Sequence, residues 1–286
     1  LDKGYVRYVD HMGSDEFIVE CARMSTGGGF VSWEPYKKCS LCNCITFFGV
    51  PEPSCITFEH NWTRYPDGDF GMLRHMMREA HTSPYEFGEL VVEIKAPIMV
   101  FREHQRHRTQ SYSEASARYA PMTQDCYVPD VGRIKKQSKT NKQASGEAFL
   151  EEDAGIIVDM IETEQEGIDK HYRDMLDRGV AREIARINCP VARYSVMRAK
   201  ANLLNWLRFL KLRLAPNAQW EIQEVARQIE VIVRAHWPRV YELFEEFDLY
   251  AVKFSRAEMK RLREILAAST PSVLSDPLVK KICSSQ

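Results

Sequence analysis

The chain has 286 residues, 44% of them hydrophobic, enough to bury the core of one large domain or two small ones. Its 39 lysines and arginines against 40 aspartates and glutamates give a net charge of −1, which excludes the overall basic excess of a sequence-independent nucleic-acid binder. No apolar run approaches the ~20 residues that span a bilayer, and no secretory pattern opens the chain, so a soluble, cytoplasmic protein without a membrane partner is expected.

Tyr5, Val6, Tyr8 and Val9 predict a strand within residues 1–12. Ser14 and Asp15 ahead of Phe17, Ile18, Cys21 and Ala22 predict a capped helix. Residues 26–69 show no sustained period and carry Gly27, Gly28, Gly29, Pro35, Pro51, Pro53 and Pro66; they read as a long loop or insertion, Cys-rich near 30–66. Cys39, Cys42, Cys44 and Cys55 cluster there. Four thiolates can make a tetrahedral zinc site, but Cys42-x-Cys44 is poorly spaced for a zinc knuckle. A reduced, unliganded insertion is the simpler reading, and no metal is assigned. Cys21, Cys126, Cys189 and Cys283 read as small buried hydrophobes.

Phe70, Leu73, Met76, Met77 and Ala80 predict a helix over 69–81, ended by Ser83-Pro84. Residues 87–101 are β-rich, with Pro97 at a break or edge, and residues 102–108 continue as a helix from the strand end. The lysines and small polar residues of 131–147 read as a solvated basic loop, with a flap over an anionic ligand as the functional alternative. Helical spacing then dominates over 148–178, 179–187, 202–213, 217–248 and 255–268, while 191–201 is ambiguous between helix and a return to the sheet. Strands early and helices late make this an α+β chain. Residues 1–255 are expected as one domain, and 256–286 as a terminal helix and tail.

The chemistry concentrates in residues 102–119. Arg102, His104, Arg106, His107 and Arg108 precede Ser111, Ser113, Glu114, Ser116 and Arg118, and nothing in the run resembles a core-forming pattern. Closely spaced arginines repel one another unless an anion lies among them, so the cluster suits a phosphate, with forked guanidinium donors and Ser116 as a short donor. A second arginine series follows on the late helices. Arg182 and Arg186 share a face, and Arg213 stands at a helix end where its head can point into a cleft. A GxGxxG fingerprint, a GxSxG elbow and HExxH are all absent, which leaves a Rossmann site, acyl transfer on serine and zinc proteolysis unsupported.

Arg106-His107-Arg108, seven residues and then Ser116 resemble the signature of the flavin-dependent thymidylate synthases. Further similarity lies in Ala22-Arg23-Met24-Ser25, in His81 through Glu86, in Lys95-Ala96-Pro97-Ile98, and in the segments 182–186, 209–213 and 218–222, in that order. The resemblance implies an antiparallel sheet packed with helices, a single catalytic domain over residues 1–255, and a homotetramer with FAD at subunit interfaces. Such enzymes methylate deoxyuridylate at C5 with carbon from methylenetetrahydrofolate and hydride from reduced flavin, NADPH commonly serving as reductant, without a cysteine nucleophile. By position it implies FAD contacts for Ser83, Arg106, His107, Arg108, Glu114, Asn202 and Arg208. It places Ser116, Arg118 and Arg186 at the nucleotide phosphate, Glu103, Arg106 and Glu114 near the substrate, and Arg213 against the pyrimidine as its catalytic group. A fixed guanidinium stabilises the ionised base and makes C5 more nucleophilic.

The sequence departs from that pattern. Glu103 stands where Gln is common, Ser113 replaces Asn, Leu204 and Arg208 stand where Arg and Asn are frequent, and Asn217 and Phe87 each replace a His. Because a carboxylate can accept the exocyclic amine of cytosine, Glu103 also motivates an alternative: a related C5 hydroxymethylase of a pyrimidine nucleotide such as deoxycytidylate. A non-enzymatic nucleotide- or RNA-binding module using the basic loop is a third class, disfavoured by the near-zero charge and the missing aromatic stacking motifs.

Overall fold

A computed structural model of the protein describes residues 1–47, 61–139, 145–268, 278, 279 and 282. It forms two compact units, Leu1–Phe244 and Glu245–Gln286. The first contains, in chain order, β1 (Tyr5–Met12), α1 (Asp15–Arg23), β2 (Tyr36–Cys39), β3 (Ile45–Phe47), β4 (Trp62–Tyr65), α2 (Phe70–Arg78), β5 (Glu89–Pro97), α3 (Ile98–His104), β6 (Ser111–Glu114), β7 (Lys135–Gln137), β8 (Ser145–Ala148), α4 (Glu151–Asp177), α5 (Arg182–Ala185), β9 (Tyr194–Asn202), α6 (Leu203–Arg213), α7 (Trp220–His236) and α8 (Pro238–Phe244). The second holds a π-helical turn, Glu245–Leu249, and α9 (Arg256–Ala267), which Ser255 and Glu258 start with a reciprocal capping box.

The central sheet runs β1-β5-β9-β6 and is antiparallel throughout. On β5, Leu90, Val92 and Ile94 point to the buried face and lie opposite Ala201, Ala199 and Met197 of β9. Branched side chains thus meet small or flexible ones, and Trp206, Phe209, Ile222, Val225 and Ile229 of α6 and α7 complete this core. The ambiguity of residues 191–201 resolves as a strand: Arg198 and Lys200 alternate with buried Met197, Ala199 and Ala201. Alanine carries too little hydrophobic signal to show that alternation in sequence. The other sheet face is polar, with Arg7 (2.7 Å) and Arg198 (3.4 Å) reaching Glu93 from both neighbouring strands.

Residues 26–69, expected as a long loop or insertion, are not without secondary structure where they are described. They contain a three-stranded antiparallel sheet, β3-β2-β4, whose strands of three or four residues are too short to leave a period. Its anchor is Asp69, fully buried, which pairs with Arg23 (2.5 Å), accepts from the Tyr36 hydroxyl (2.7 Å) and accepts from the main-chain N–H groups of Val31 (2.7 Å) and Ser32 (3.3 Å). Cys39 ends β2, and its N–H donates to the Cys44 carbonyl (2.9 Å) across a turn in which Asn43 is left-handed (φ 58°). Cys55 and Cys283 lie outside the described residues. Among the described residues no group of three or more His, Cys, Asp or Glu is placed to hold a metal ion. Cys21, Cys126 and Cys189 are half-buried rather than core residues.

Three further elements differ from expectation. The helix expected to run unbroken over 217–248 splits at Pro238, which has no N–H to continue α7, and buried Asp15 accepts instead from the N–H groups of Arg239 (2.8 Å) and Val240 (3.2 Å) at the start of α8. The described part of the basic loop is a short 3₁₀ turn and the β7–β8 hairpin. Arg133 is not solvated there: it pairs with buried Glu221 (2.9 Å), which also accepts from the Tyr127 hydroxyl (3.0 Å). Residues 140–144 of that loop lie outside the described residues. Finally, α3 starts at Ile98, directly after Pro97, four residues before the expected helix, because the apolar Ile98–Phe101 run reads as strand in sequence. No helix among the described residues is long and apolar enough to cross a membrane.

Candidate active site

Pro97 ends β5 with φ set by its ring (−59°) and an extended ψ (143°), and α3 departs from it. That junction carries residues 98–104 off the sheet, and the chain returns through a turn as edge strand β6. The inner face of α3 is Val100, Phe101 and His104. His104, expected within a solvated cationic cluster, is instead a core residue with no exposure, packed on Phe209 (ring centroids 4.5 Å apart) and bonded through Nε2 to Gln110 Oε1 (2.9 Å). Burial lowers its pKa to about 3, so its ring is neutral. The Tyr112 hydroxyl lies 2.7 Å from the His107 carbonyl and 3.2 Å from that of His104, pinning the turn to β6.

Opposite this turn stands the end of α6. Arg213 does not reach open solvent: its side chain is 16% exposed and enclosed on three sides. Nη1 donates to Glu103 Oε2 (2.9 Å), Nη2 to the Glu103 carbonyl (2.9 Å), and Nε to His107 Nε2 (3.0 Å). The His107 ring meets Phe209 edge-on (4.9 Å). Burial first, and Arg213 second, push the His107 imidazole down to about 4, with Glu103 opposing; a neutral ring is what an acceptor at Nε2 requires.

A cavity of about 500 Å³ is lined by Ile98 and Arg102 of α3, Glu114, Ser116 and Met122 from β6 and the segment after it, Arg186 after α5, and Ser195 and Val196 of β9; Glu103, His107 and Arg213 do not line it. Three of the expected residues, Glu114, Ser116 and Arg186, therefore converge. Arg118 does not line this cavity; it pairs with Glu183 (2.9 Å), both side chains being largely exposed. Arg106 and Arg108 are exposed and make no ion pair among the described residues. Ser83 is exposed at the head of the 3₁₀ turn after α2. Asn202 ends β9 and caps α6 by accepting from the Asn205 N–H (3.0 Å); Arg208 is exposed one face away. None of these last three lines the cavity. Arg102 does; it belongs to the expected anion cluster, although the family resemblance assigns it no role. Its i,i+4 relation to Ile98 is the signal that both face the same way.

The donor set suits a flavin dinucleotide. Arg106 and Arg108, both exposed, two residues apart in sequence and without carboxylate partners among the described residues, are donors of the kind a diphosphate takes, and the Asn202 amide keeps its NH2 free of the capping bond. The cavity with Arg102, Arg186 and Ser116 matches a second, smaller anion.

Residues 7–239 match the family described as "Thymidylate synthase complementing protein". The chain is 39% identical over 278 residues to a flavin-dependent thymidylate synthase of Thermus thermophilus, spanning 97% of this chain and 88% of that protein. It is 36% identical over 273 residues to the enzyme of the same description from Anaplasma marginale strain St. Maries, spanning 96% and 82%. Among solved structures it resembles the UMP/dUMP methylase PolB from Streptomyces cacaoi bound with 5-Br UMP, with a TM-score of 0.67, 30% identity, and coverage of 86% of this chain and 95% of that one. The fold is that of the same group, and the chain is an enzyme belonging to the flavin-dependent thymidylate synthase family.

Proposed function

We propose that the protein makes thymidylate from deoxyuridylate, with methylenetetrahydrofolate as carbon donor, reduced FAD as hydride donor and NADPH as the reductant of the flavin, in a homotetramer. The observation that carries this reading is the convergence of Glu114, Ser116, Arg186 and Arg102 on one cavity, together with an Arg213 immobilised by Glu103 and His107. In it, Ser116 and Arg186, with Arg118 once released from Glu183, hold the phosphate. Arg213 lies against the pyrimidine and stabilises negative charge spreading from N3 to the flanking carbonyls, which raises electron density at C5. Ser83, Arg106, His107, Arg108, Glu114, Asn202 and Arg208 hold the flavin, which supplies hydride when bound. Glu103, Arg106 and Glu114 stand near the substrate.

A second reading keeps the fold and changes the capture step. The Glu103 carboxylate lies against Arg213 at 2.9 Å, partly cancels its charge and offers an acceptor that suits the exocyclic amine of cytosine. Deoxycytidylate would then receive the methylene carbon, and water rather than hydride would complete a hydroxymethyl group. Anaerobic mixing separates the two. Pre-reduced enzyme given deoxyuridylate and methylenetetrahydrofolate is expected to oxidise its flavin in step with product. A flavin that stays reduced while a deoxycytidylate product accumulates supports the second reading, and no product from either nucleotide overturns both.

A further inference from the structure

We propose that His107 is a positioning residue for Arg213: its neutral ring accepts the Arg213 Nε–H at Nε2 and, together with Glu103, fixes the guanidinium before any nucleotide binds. The inference rests on the proposed role of Arg213 but concerns a different residue and a different act. Sequence similarity places His107 only among the flavin contacts. The geometry gives its ring a second task, because the bond to Arg213 (3.0 Å) uses the one ring nitrogen able to accept.

Three of the five guanidinium N–H groups are spoken for: Nε by His107, one on Nη1 by the Glu103 carboxylate and one on Nη2 by the Glu103 carbonyl. Contacts from both ends of the fork set its plane, leaving one N–H on each Nη for a ligand. The ring is itself held. Phe209 of α6 packs on it edge-on, and the Tyr112 hydroxyl of β6 anchors its main-chain carbonyl. The titratable or charged groups around it are Arg213 from α6, Glu103 and buried His104 from α3, and Tyr112 from β6, flanked in sequence by the exposed Arg106 and Arg108. Protonation at Nε2 would set donor against donor and release Arg213. Burial and the Arg213 charge oppose that protonation, and Glu103 favours it. A guanidinium held in this way loses less freedom on meeting the transition state than one free to rotate.

Histidine-labelled protein, studied by long-range proton–nitrogen NMR without nucleotide, tests the arrangement directly. The expected result is a His107 ring protonated at Nδ1 with a bare Nε2, titrating far below the ordinary histidine value, and moving upward in Arg213→Leu. An Nε2–H tautomer, or titration at the ordinary value, would overturn the proposal. Two substitutions then address function at matched flavin content. His107→Leu is expected to lose roughly 10–100-fold in kcat/KM, the loss typical of one charge-assisted hydrogen bond. His107→Gln, which restores an acceptor near the Nε2 position, is expected to recover most of it. Equal impairment in both variants would mean a packing role alone and would contradict the proposal. A wild-type enzyme that makes no thymidylate would refute the proposed function while leaving the NMR result to decide this one.

Discussion

Two charged regions of the molecule are built on opposite plans. Around Asp69 the charges are closed on themselves: Arg23, Tyr36 and two main-chain N–H groups satisfy a fully buried carboxylate, and the β2–β4 sheet hangs on that knot. Between α3 and β6 the charges are left open. Arg106 and Arg108 face solvent without ion pairs among the described residues, and Arg102 and Arg186 face a cavity. Arg213 stands between the two plans, with three donors engaged and two reserved. A closed network specifies structure, whereas an open one needs a ligand to complete it.

Asp69→Ala should have the largest effect, about 3–5 kcal/mol of stability, because it strands Arg23 in a largely buried position. Denaturant unfolding would show it; a loss below about 1 kcal/mol would mean that the knot is not a structural centre. Arg213→Ala should leave stability nearly unchanged, since Glu103 is accessible enough to be re-solvated, while turnover falls roughly 10²–10³-fold with FAD retained. Unchanged turnover would refute its catalytic role. Arg106→Ala should weaken flavin and nucleotide binding together, by about 1.5–3 kcal/mol each. Normal flavin occupancy and normal nucleotide affinity in that variant would remove it from the open cluster.

The remaining prediction concerns pH. His104 is buried neutral, with a pKa lowered from 6.5 to about 3, so the unfolded chain binds a proton there that the folded chain refuses. Stability from this group is whole above pH 6.5 and falls as pH drops through that window. His107 adds to the fall down to about pH 4. Asp15, raised by burial from 3.8 to about 6, works the other way between those values. His104→Phe should flatten the acid limb measured by thermal unfolding; an unaltered slope would place the titration elsewhere.

Much of this was legible in the sequence. The strands around Tyr5–Val9 and 87–97, the helices at 70–78, 151–177 and 203–213, and the Ser14 cap all carry local periods or capping chemistry. Residues 106–116 carry the expectation of an anion site in their sequence, because closely spaced arginines beside serines suit one. What stayed hidden is tertiary. The alternation of β9 rests on alanines, and β2 to β4 are too short for a period. Nothing local shows that His104 turns inward while His107, one turn later, meets an arginine from another helix. The Glu103–Arg213 contact joins residues far apart in sequence and emerges only when α3 and α6 pack.

The central claim is that this open cluster handles deoxyuridylate and adds a methyl group to it. Product mass answers it most directly. Enzyme with reduced FAD and methylenetetrahydrofolate is given deoxyuridylate and deoxycytidylate separately. The expected result is a product heavier by one CH2 from deoxyuridylate. A hydroxymethyl product from deoxycytidylate, with none from deoxyuridylate, would contradict the account and assign Glu103 to reading cytosine.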